Sequence, residues 1–408
     1  MNYLKKLIKK DKKVKIIFIV LDGVGDLGVR DGKTPLELAS TPNLDEIVKS
    51  SATGLHIPVD YGITPGSGPG HLGIFGYEPL KFEIGRGILE ALGVGLEVRD
   101  TDVAIRGNFA TVTYEAGKPI VVDRRAGRIP TEENKRLIKY LAENIKKIDD
   151  VEVILCSGRE HRFSLLLRFP YKLSPLAEKI NDTDPQATGK EPYLPKGENE
   201  EAQKVAEIAQ KFIEIAGELL RNEPKANYVL LRGFSVKPDI EPFHERFGLS
   251  SACIAVYPMY KGLARLVGMD VITFEGETIE DEINTLKKYY YDYDFFFIHI
   301  KKTDSFGEDG NFEGKISVIE EFDKQIPEIL SLKPDVLAIT GDHSTPCSMK
   351  SHSWHPVPVL IYSPYCLGNL SQRFTERECL KGELGIFPSY KLMSLLLAHS
   401  GKLAKFGA

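Results

Sequence analysis

One serine in this chain is set for chemistry. Ser67 sits in the glycine- and proline-rich stretch 62–79, GITPGSGPGHLGIFGYEP, between Gly66 and Gly68. Glycines let the backbone approach a ligand closely and leave a neighbouring hydroxyl unshielded. Three apolar runs elsewhere stop at metal-type residues. IIFIVL ends at Asp22, FFFIHIKKTD at Asp304, and VLAITGDH at Asp342 and His343, with His352 in the Ser/Pro-rich loop beyond. Taken singly, each has a structural reading: Asp22 as a turn residue, Asp304 and Glu308 as solvated loop acids, His343 and His352 as hydrogen-bonded histidines. Taken together they need a cation, because gathered carboxylates are costly unless neutralised. Oxygen and imidazole donors without thiolate suit two divalent ions, Mn²⁺ foremost, with Zn²⁺, Mg²⁺ and Co²⁺ as the other candidates. A serine hydroxyl is a weak nucleophile until a metal or base activates it. A metal pair can hold the attacking and leaving oxygens of an in-line phosphoryl transfer. The expected product is a phosphoserine that passes its phosphoryl group to water or to another hydroxyl.

The middle of the chain supplies anion-binding groups. Arg106, Arg124, Arg125, Arg128, Arg159, Arg162 and Arg232 lie in or beside strand-like and glycine-containing segments. Guanidinium forks match phosphate and carboxylate in a bidentate way. DRRAGR gathers three of them around Gly127, and His161 in REHRF is a candidate acid/base.

The elements that must position these residues follow from pattern. Residues 14–21 form a continuous β-branched and aromatic run, the mark of a strand covered on both faces in a parallel sheet. Thr41, with Pro42 behind it, should cap a helix, and glycines should stop another at 88–92. From about residue 100 the texture alternates, with a hairpin turn at 116–118. A helix is expected over 131–147, capped by Thr131, and an amphipathic one over 201–220; between them, 175–200 reads as a long polar loop. The α/β rhythm resumes after Gly248, with helices over 277–290 and 316–332, strands at 252–256, 295–300, 336–340 and 357–362, and a terminal helix capped by Ser389. If the sheet is parallel, Asp22, Asp304, Asp342 and His343 share one edge of it, where ligands bind in open α/β folds.

Composition narrows the class. At 408 residues the chain exceeds one ordinary core, and two domains are expected: 1–80 with 248–408 as a metal-binding core, and 81–247 as an inserted domain. The 42 % apolar and 27 % charged content is that of a globular protein. Net charge is −5, from 53 basic and 58 acidic residues, so a nucleic-acid partner is not expected. Five scattered cysteines without a CxxC fit a reducing cytoplasm rather than a disulfide framework. The N-terminal apolar run ends at Asp22 with no small-residue cleavage site, so it reads as a strand behind a basic helical leader. No run reaches the roughly 20 apolar residues of a membrane span, and no membrane partner is expected.

The motifs LDGVGD, GKTPLELASTPNLD, PGSGPGHLGIFGYEP, GRGILEALGVGLE, RGNFATV, DRRAGR, HIKKTDSFGEDG, ITGDHSTP and HSWHPVPVLI occur in order along nearly the whole chain. This series resembles archaeal-type 2,3-bisphosphoglycerate-independent phosphoglycerate mutase, of the alkaline phosphatase superfamily. The resemblance implies an α/β fold: an alkaline-phosphatase-like core, its mostly parallel sheet flanked by helices, plus an inserted α+β cap. It implies interconversion of 2- and 3-phosphoglycerate in glycolysis and gluconeogenesis, on a small phosphorylated substrate, by a monomer or homo-oligomer. Ser67 matches the nucleophile. Asp22, Ser67, Asp342 and His343 match one metal site, and Asp304, the position of Glu308 and His352 the other. Arg232 and Lys261, in YPMYKGLARLVGM, resemble phosphate or carboxylate ligands; Arg124, Arg125 and His161 resemble cap contacts. Gly68 departs from the Asp many members carry after the nucleophile. Glu308 replaces a common His, which favours Mn²⁺ or Mg²⁺ over Zn²⁺, and His355, where many carry Asp, is an alternative ligand. These departures leave two alternatives open on the same core, a homoserine-kinase-like phosphotransferase and a metal-dependent phosphatase; a non-enzymatic binder of phosphorylated ligands would not need Ser67.

Overall fold

The computed structural model describes residues 2–28, 30–82, 84–368 and 371–407. The chain forms two compact units, one of Met1–Glu83 with Ile240–Ala408 and one of Ile84–Asp239. Fourteen strands are present among the described residues. In chain order they are β1 Ile16–Leu21, β2 Ser51–Ile57, β3 Asp102–Glu115, β4 Lys118–Asp123, β5 Lys147–Ile148, β6 Val151–Ser157 and β7 Arg162–Arg168. They continue as β8 Tyr228–Val236, β9 Ser251–Ala255, β10 Asp270–Val271, β11 Phe295–Ile300, β12 Val336–Thr340, β13 Val357–Tyr362 and β14 Gly385–Pro388.

In the first unit the order is β10-β9-β11-β1-β12-β13-β2-β14. β1 lies between β11 and β12 and is parallel to both, pairing Leu21 with Ile300 and Val20 with Thr340. Every residue of β1, β11 and β12 is buried, as a parallel strand covered on both faces requires. The alternation of strand side chains splits them between two cores. Ile17, Ile19, Leu21, Phe296, Ile298, Leu337 and Ile339 pack with helices that include Pro42–Val48 and Ile279–Tyr289. On the other face, Phe297 packs on Phe75 (ring centroids 4.7 Å) and Phe295 on Phe243 (4.9 Å). The sheet is mostly parallel; β13 runs antiparallel to β12 and β2.

Several local expectations need correction. Residues 316–332 are not one helix: Phe312–Asp323 ends before a second helix, Ile326–Ser331, with Pro327 in its opening turn. Proline inside a continuous helix would remove a hydrogen bond and clash with the preceding turn. Thr41 precedes its helix, but its hydroxyl bonds Asp45 Oδ1 (3.1 Å), not a backbone amide. Thr131 is the first helical residue rather than the cap, and its hydroxyl accepts from Glu160 N (3.1 Å). Ser389 donates to Pro58 O (2.7 Å), leaving Lys391 at the cap of the terminal helix.

The second unit is an antiparallel sheet, β4-β3-β7-β6-β5, with β8 also on β3. Helices Thr131–Asn144 and Glu200–Leu220 bury their apolar faces in its core through Leu137, Leu141, Val205, Ala209 and Phe212. The inserted segment was drawn from sequence at 81–247; helix Phe243–Phe247 instead belongs to the first unit, where Phe243 meets Phe295.

Candidate active site

Because β11, β1 and β12 are parallel neighbours in flush register, their carboxyl ends release three short segments side by side. β1 delivers Asp22. β11 delivers Lys301 and then helix Lys302–Asp309, with Asp304 in its first turn. β12 delivers Gly341, Asp342 and His343. The segments are stitched together. Thr303 Oγ1 donates to Asp22 O (2.5 Å), Gly23 N to Asp342 Oδ1 (3.2 Å), and Ser344 bridges to Val24, Gly25 and Ser353.

Two groups of ligand atoms result. Asp22, Asp342 and His343 form one, wholly buried; Asp304, His343 and His352 form the other. His343 Nε2 lies 3.4 Å from Asp22 Oδ1 and 3.2 Å from Asp342 Oδ2. Its Nδ1 is 3.0 Å from Thr345 Oγ1, whose hydroxyl also reaches Asp304 Oδ1 (2.6 Å). The His352 ring stacks on His343 (3.7 Å between centroids, 25°). His352 Nδ1 donates to Pro65 O (2.9 Å), which turns Nε2 towards Asp304 Oδ1 (3.6 Å). Asp22 Oδ1 and His343 Nε2 are buried without a hydrogen bond. Such orphaned atoms are expensive in a protein interior unless a cation joins them, and the donor set of carboxylates and imidazoles fits a divalent metal.

The electrostatics agree. Burial alone would raise Asp22, but Lys301, the bond from His299 and the neighbouring His343 hold it well below the usual carboxylate range. Asp342 is also lowered: burial and Asp22 push it up, and His343 and His71 outweigh them. Burial lowers His343 against the pull of both acids, which keeps its imidazole in the neutral, ligating form.

Ser67 opens helix Ser67–Ile74 after Gly66, at the positive end of the helix dipole. The helix is tied to the first group, since His71 Nδ1 lies 3.1 Å from Asp342 Oδ2 and 2.8 Å from Ser67 O. The preceding loop is tied to the second through Pro65 and His352. Gly70 lies against Asp342: a Cβ there would come within 2.8 Å of its carbonyl oxygen.

Glu308 is exposed, with Oε1 3.8 Å from His352 Nε2, outside the compact ligand groups. His355 bonds Ser353 Oγ (3.0 Å) and stacks on Trp354 (4.9 Å), away from both groups. Lys261 lies over the Phe274 ring (5.9 Å) and acts electrostatically on buried Glu282.

In the second unit, Arg124 forms a bidentate pair with Asp184 (2.7 and 2.8 Å). Arg232 reaches both Asp182 and Asp184 (3.2 Å each). Arg106 and Arg232 are register partners on β3 and β8. Arg106 Nε is buried without a hydrogen bond, 3.7 Å from Glu90 Oε2; burial depresses its guanidinium, Glu90 supports it, and Arg162, Arg232 and Arg86 repel it. His161 is buried, and burial with Arg162 and Arg125 pushes it down to about 4, so it is neutral near pH 7. Arg125, Arg128, Arg159 and Arg162 are exposed.

Sequence reasoning passed over several supporting residues. His299 donates from Nε2 to Asp22 Oδ2 (2.9 Å) and stacks on Tyr260 (3.5 Å, 21°). Its signal was a lone imidazole in the apolar run FFFIHI. Lys315, wholly buried, reaches Asp26 Oδ2 (2.9 Å) and the carbonyls of Gly23 (2.9 Å), Gly25 (3.2 Å) and Thr345 (2.9 Å). It holds the turn after Asp22, and nothing in its helical sequence context marks it. Asp182 and Asp184 lie in the NDTDP part of the long polar loop, whose length points to a functional or mobile segment but whose composition singles out neither acid.

Among known proteins, the Metalloenzyme superfamily model matches residues 14–399. A probable 2,3-bisphosphoglycerate-independent phosphoglycerate mutase of Aquifex aeolicus is 69 % identical over 408 residues, covering 100 % of both chains. One of Thermotoga maritima is 52 % identical over 407 residues, covering 100 % of this chain and 99 % of the relative. Among solved structures, a Pyrococcus horikoshii protein aligns with TM-score 0.79 at 33 % identity, covering 97 % of this chain and 100 % of its own. The cofactor-independent phosphoglycerate mutase of Thermoplasma acidophilum aligns with TM-score 0.78 at 29 % identity, covering 96 % and 100 %. With strand ends, ligand groups and serine helix laid out as above, the chain belongs to the Metalloenzyme superfamily and, within it, to the 2,3-bisphosphoglycerate-independent phosphoglycerate mutases.

Proposed function

We propose that this chain interconverts 2- and 3-phosphoglycerate through a phosphoserine on Ser67, in the cytoplasm, with two divalent ions, Mn²⁺ by preference. The observation that carries this reading is the double tether of the Ser67 helix, through His71 to Asp342 and through Pro65 to His352. One side chain of each ligand group thereby positions the nucleophile. Asp22, Asp342, His343 and Ser67 would hold one ion; Asp304 and His352, with Glu308 at the rim, would hold the other. The ions supply Lewis acidity that activates the serine hydroxyl and offsets charge on the phosphoryl oxygens.

The first unit acts as the phosphotransferase core and the second as the substrate-binding cap. Ser67 Oγ forms a bond to phosphorus as the substrate P–O bond breaks, and the proton of the serine hydroxyl ends on the released glycerate oxygen. The helix N-terminus at Ser67 favours the gathering negative charge. In the second unit, Arg124, Arg125 and Arg232 are the groups we assign to the carboxylate and phosphate of the glycerate; in the first, Lys261 is the cation we assign to the same anionic groups. Asp184 orients Arg124 and Arg232 in the free protein. The glycerate then offers its other hydroxyl to the phosphoserine. That hydroxyl's oxygen bonds phosphorus as the Ser67 Oγ–P bond breaks, and its proton ends on the freed serine oxygen; His161 of the second unit, held neutral, is the base we assign to carrying that proton.

The test is phosphorus NMR of the protein incubated with 3-phosphoglycerate and Mn²⁺, without added 2,3-bisphosphoglycerate, the metal being chelated before the spectrum. Appearance of 2-phosphoglycerate, absent in Ser67→Ala, is expected. Free phosphate in its place would make the protein a phosphatase, and an unchanged spectrum would overturn the phosphotransfer reading.

A further inference from the structure

Lys301 stands between the two ligand groups. Its ammonium contacts Asp304 Oδ2 and lies 3.3 Å from Asp22 Oδ2, so it joins one carboxylate from each group. The oxygens it takes are not the ones that face the imidazoles of the ligand groups, His343 and His352. His343 Nε2 approaches Asp22 by Oδ1 (3.4 Å), and His352 Nε2 approaches Asp304 by Oδ1 (3.6 Å). The remaining back contacts keep this division. His299 shares Asp22 Oδ2 with Lys301, and only Thr345 reaches round to Asp304 Oδ1. The lysine itself is confined: it lies over the Tyr260 ring at 5.5 Å, and its side chain is 16 % exposed.

We propose that Lys301 is a positioning residue for both metal groups: it clamps the Oδ2 oxygens of Asp22 and Asp304, directs each Oδ1 at its histidine, and sets the spacing of the two ions. The proposal rests on the two-metal reading above. The physical argument is geometric. A carboxylate with both oxygens free can swing or bind an ion through both; one pinned through a single oxygen is restricted to the other. Because one ammonium pins two acids from different strands, the two sites cannot be set independently. A lysine suits this as a compact cation with three donors. Supporting partners of metal ligands of this kind typically change metal affinity by about 10–100-fold when removed.

The test uses the full chain and Mn²⁺ alone, read by calorimetry and electron paramagnetic resonance. The wild type should bind two ions per chain with the spectrum of an exchange-coupled pair. Lys301→Met should lose that coupled spectrum and weaken one of the two sites at least tenfold. Lys301→Arg, whose fork can span both acids, should recover part of the coupling. A Lys301→Met protein with the same coupled spectrum and affinities would overturn the proposal while leaving the two-metal reading intact. A wild type that binds no ion pair would overturn both. Should Lys301→Met fail to fold, a crystal structure of the Mn²⁺-loaded wild type decides: Lys301 within hydrogen-bond distance of both Oδ2 atoms supports the proposal, and loss of either contact overturns it.

Discussion

Lys315 is the residue on which the Asp22 turn rests. Its ammonium is wholly buried and satisfied by one carboxylate and three carbonyls, so its charge is fully compensated. Removing one partner of a buried pair leaves the other charged and unpaired, which costs about 3–5 kcal/mol. Lys315→Met should therefore destabilise the protein by that amount, measured by urea unfolding. The replacement fills much of the same volume, so a loss below about 1 kcal/mol would mean that the bonds Asp26 already accepts from Leu27 N and Cys347 N suffice for its charge. The same residue logic sorts the arginines of the second unit. Arg124 and Arg232 are held by Asp182 and Asp184 before any ligand arrives, whereas Arg125 and Arg162 are exposed.

At the scale of elements, the working part is the eight-residue helix Ser67–Ile74 and its seat on the β12 loop. Gly70 makes that seat possible. An alanine there would place its Cβ 2.8 Å from Asp342 O, a backbone atom that cannot turn aside. Helix and loop would have to separate by a few tenths of an ångström, carrying Ser67 and His71 away from Asp342. A misplacement of about 1 Å can cost about 100-fold in rate. Gly70→Ala should thus lower kcat by up to about that factor with KM nearly unchanged, checked by steady-state kinetics of the mutase reaction. An unchanged kcat would show that the helix need not touch Asp342 to place its serine.

Across the whole molecule, two buried histidines make folding sensitive to acid. His56 in the first unit is pushed down to about 4 by burial, against the pull of its contact with Gly341 O (2.9 Å) and of Asp342. His161 in the second is pushed to about 4 by burial and by Arg162 and Arg125. In the unfolded chain both titrate near 6.5. Between those values the unfolded chain binds more protons than the folded one, so stability rises with pH and falls as pH is lowered from about 6.5 to about 4. Below about 4 both states are protonated and this contribution levels off. Thermal unfolding of the metal-free protein followed across that window should show the decline, and the double variant His56→Gln, His161→Gln should flatten it. An unchanged slope in the double variant would assign the acid sensitivity to other groups. No helix among the described residues is long and apolar enough to cross a membrane.

Much of this is legible in the order of residues alone. The all-apolar runs of β1, β11 and β12 could be buried strands, and each could be followed to the acid or histidine at its end, because a strand covered on both faces leaves an unbroken hydrophobic record. The glycines around Ser67 announced a loop where backbone comes close to something. Which atoms meet is settled by long-range pairing. Strand order placed β1 between β11 and β12, and register made their ends flush; both depend on pairings 279 (Ile16 with Phe295) and 320 (Ile16 with Val336) residues apart in the chain, which no local pattern encodes. The same holds for His343 serving both ligand groups, Glu308 lying outside them, Lys261 turning to Phe274, and Lys301 and Lys315 as compensated interior cations. A buried lysine and a solvated one look alike in sequence, and only the partners folding brings to them distinguish the two.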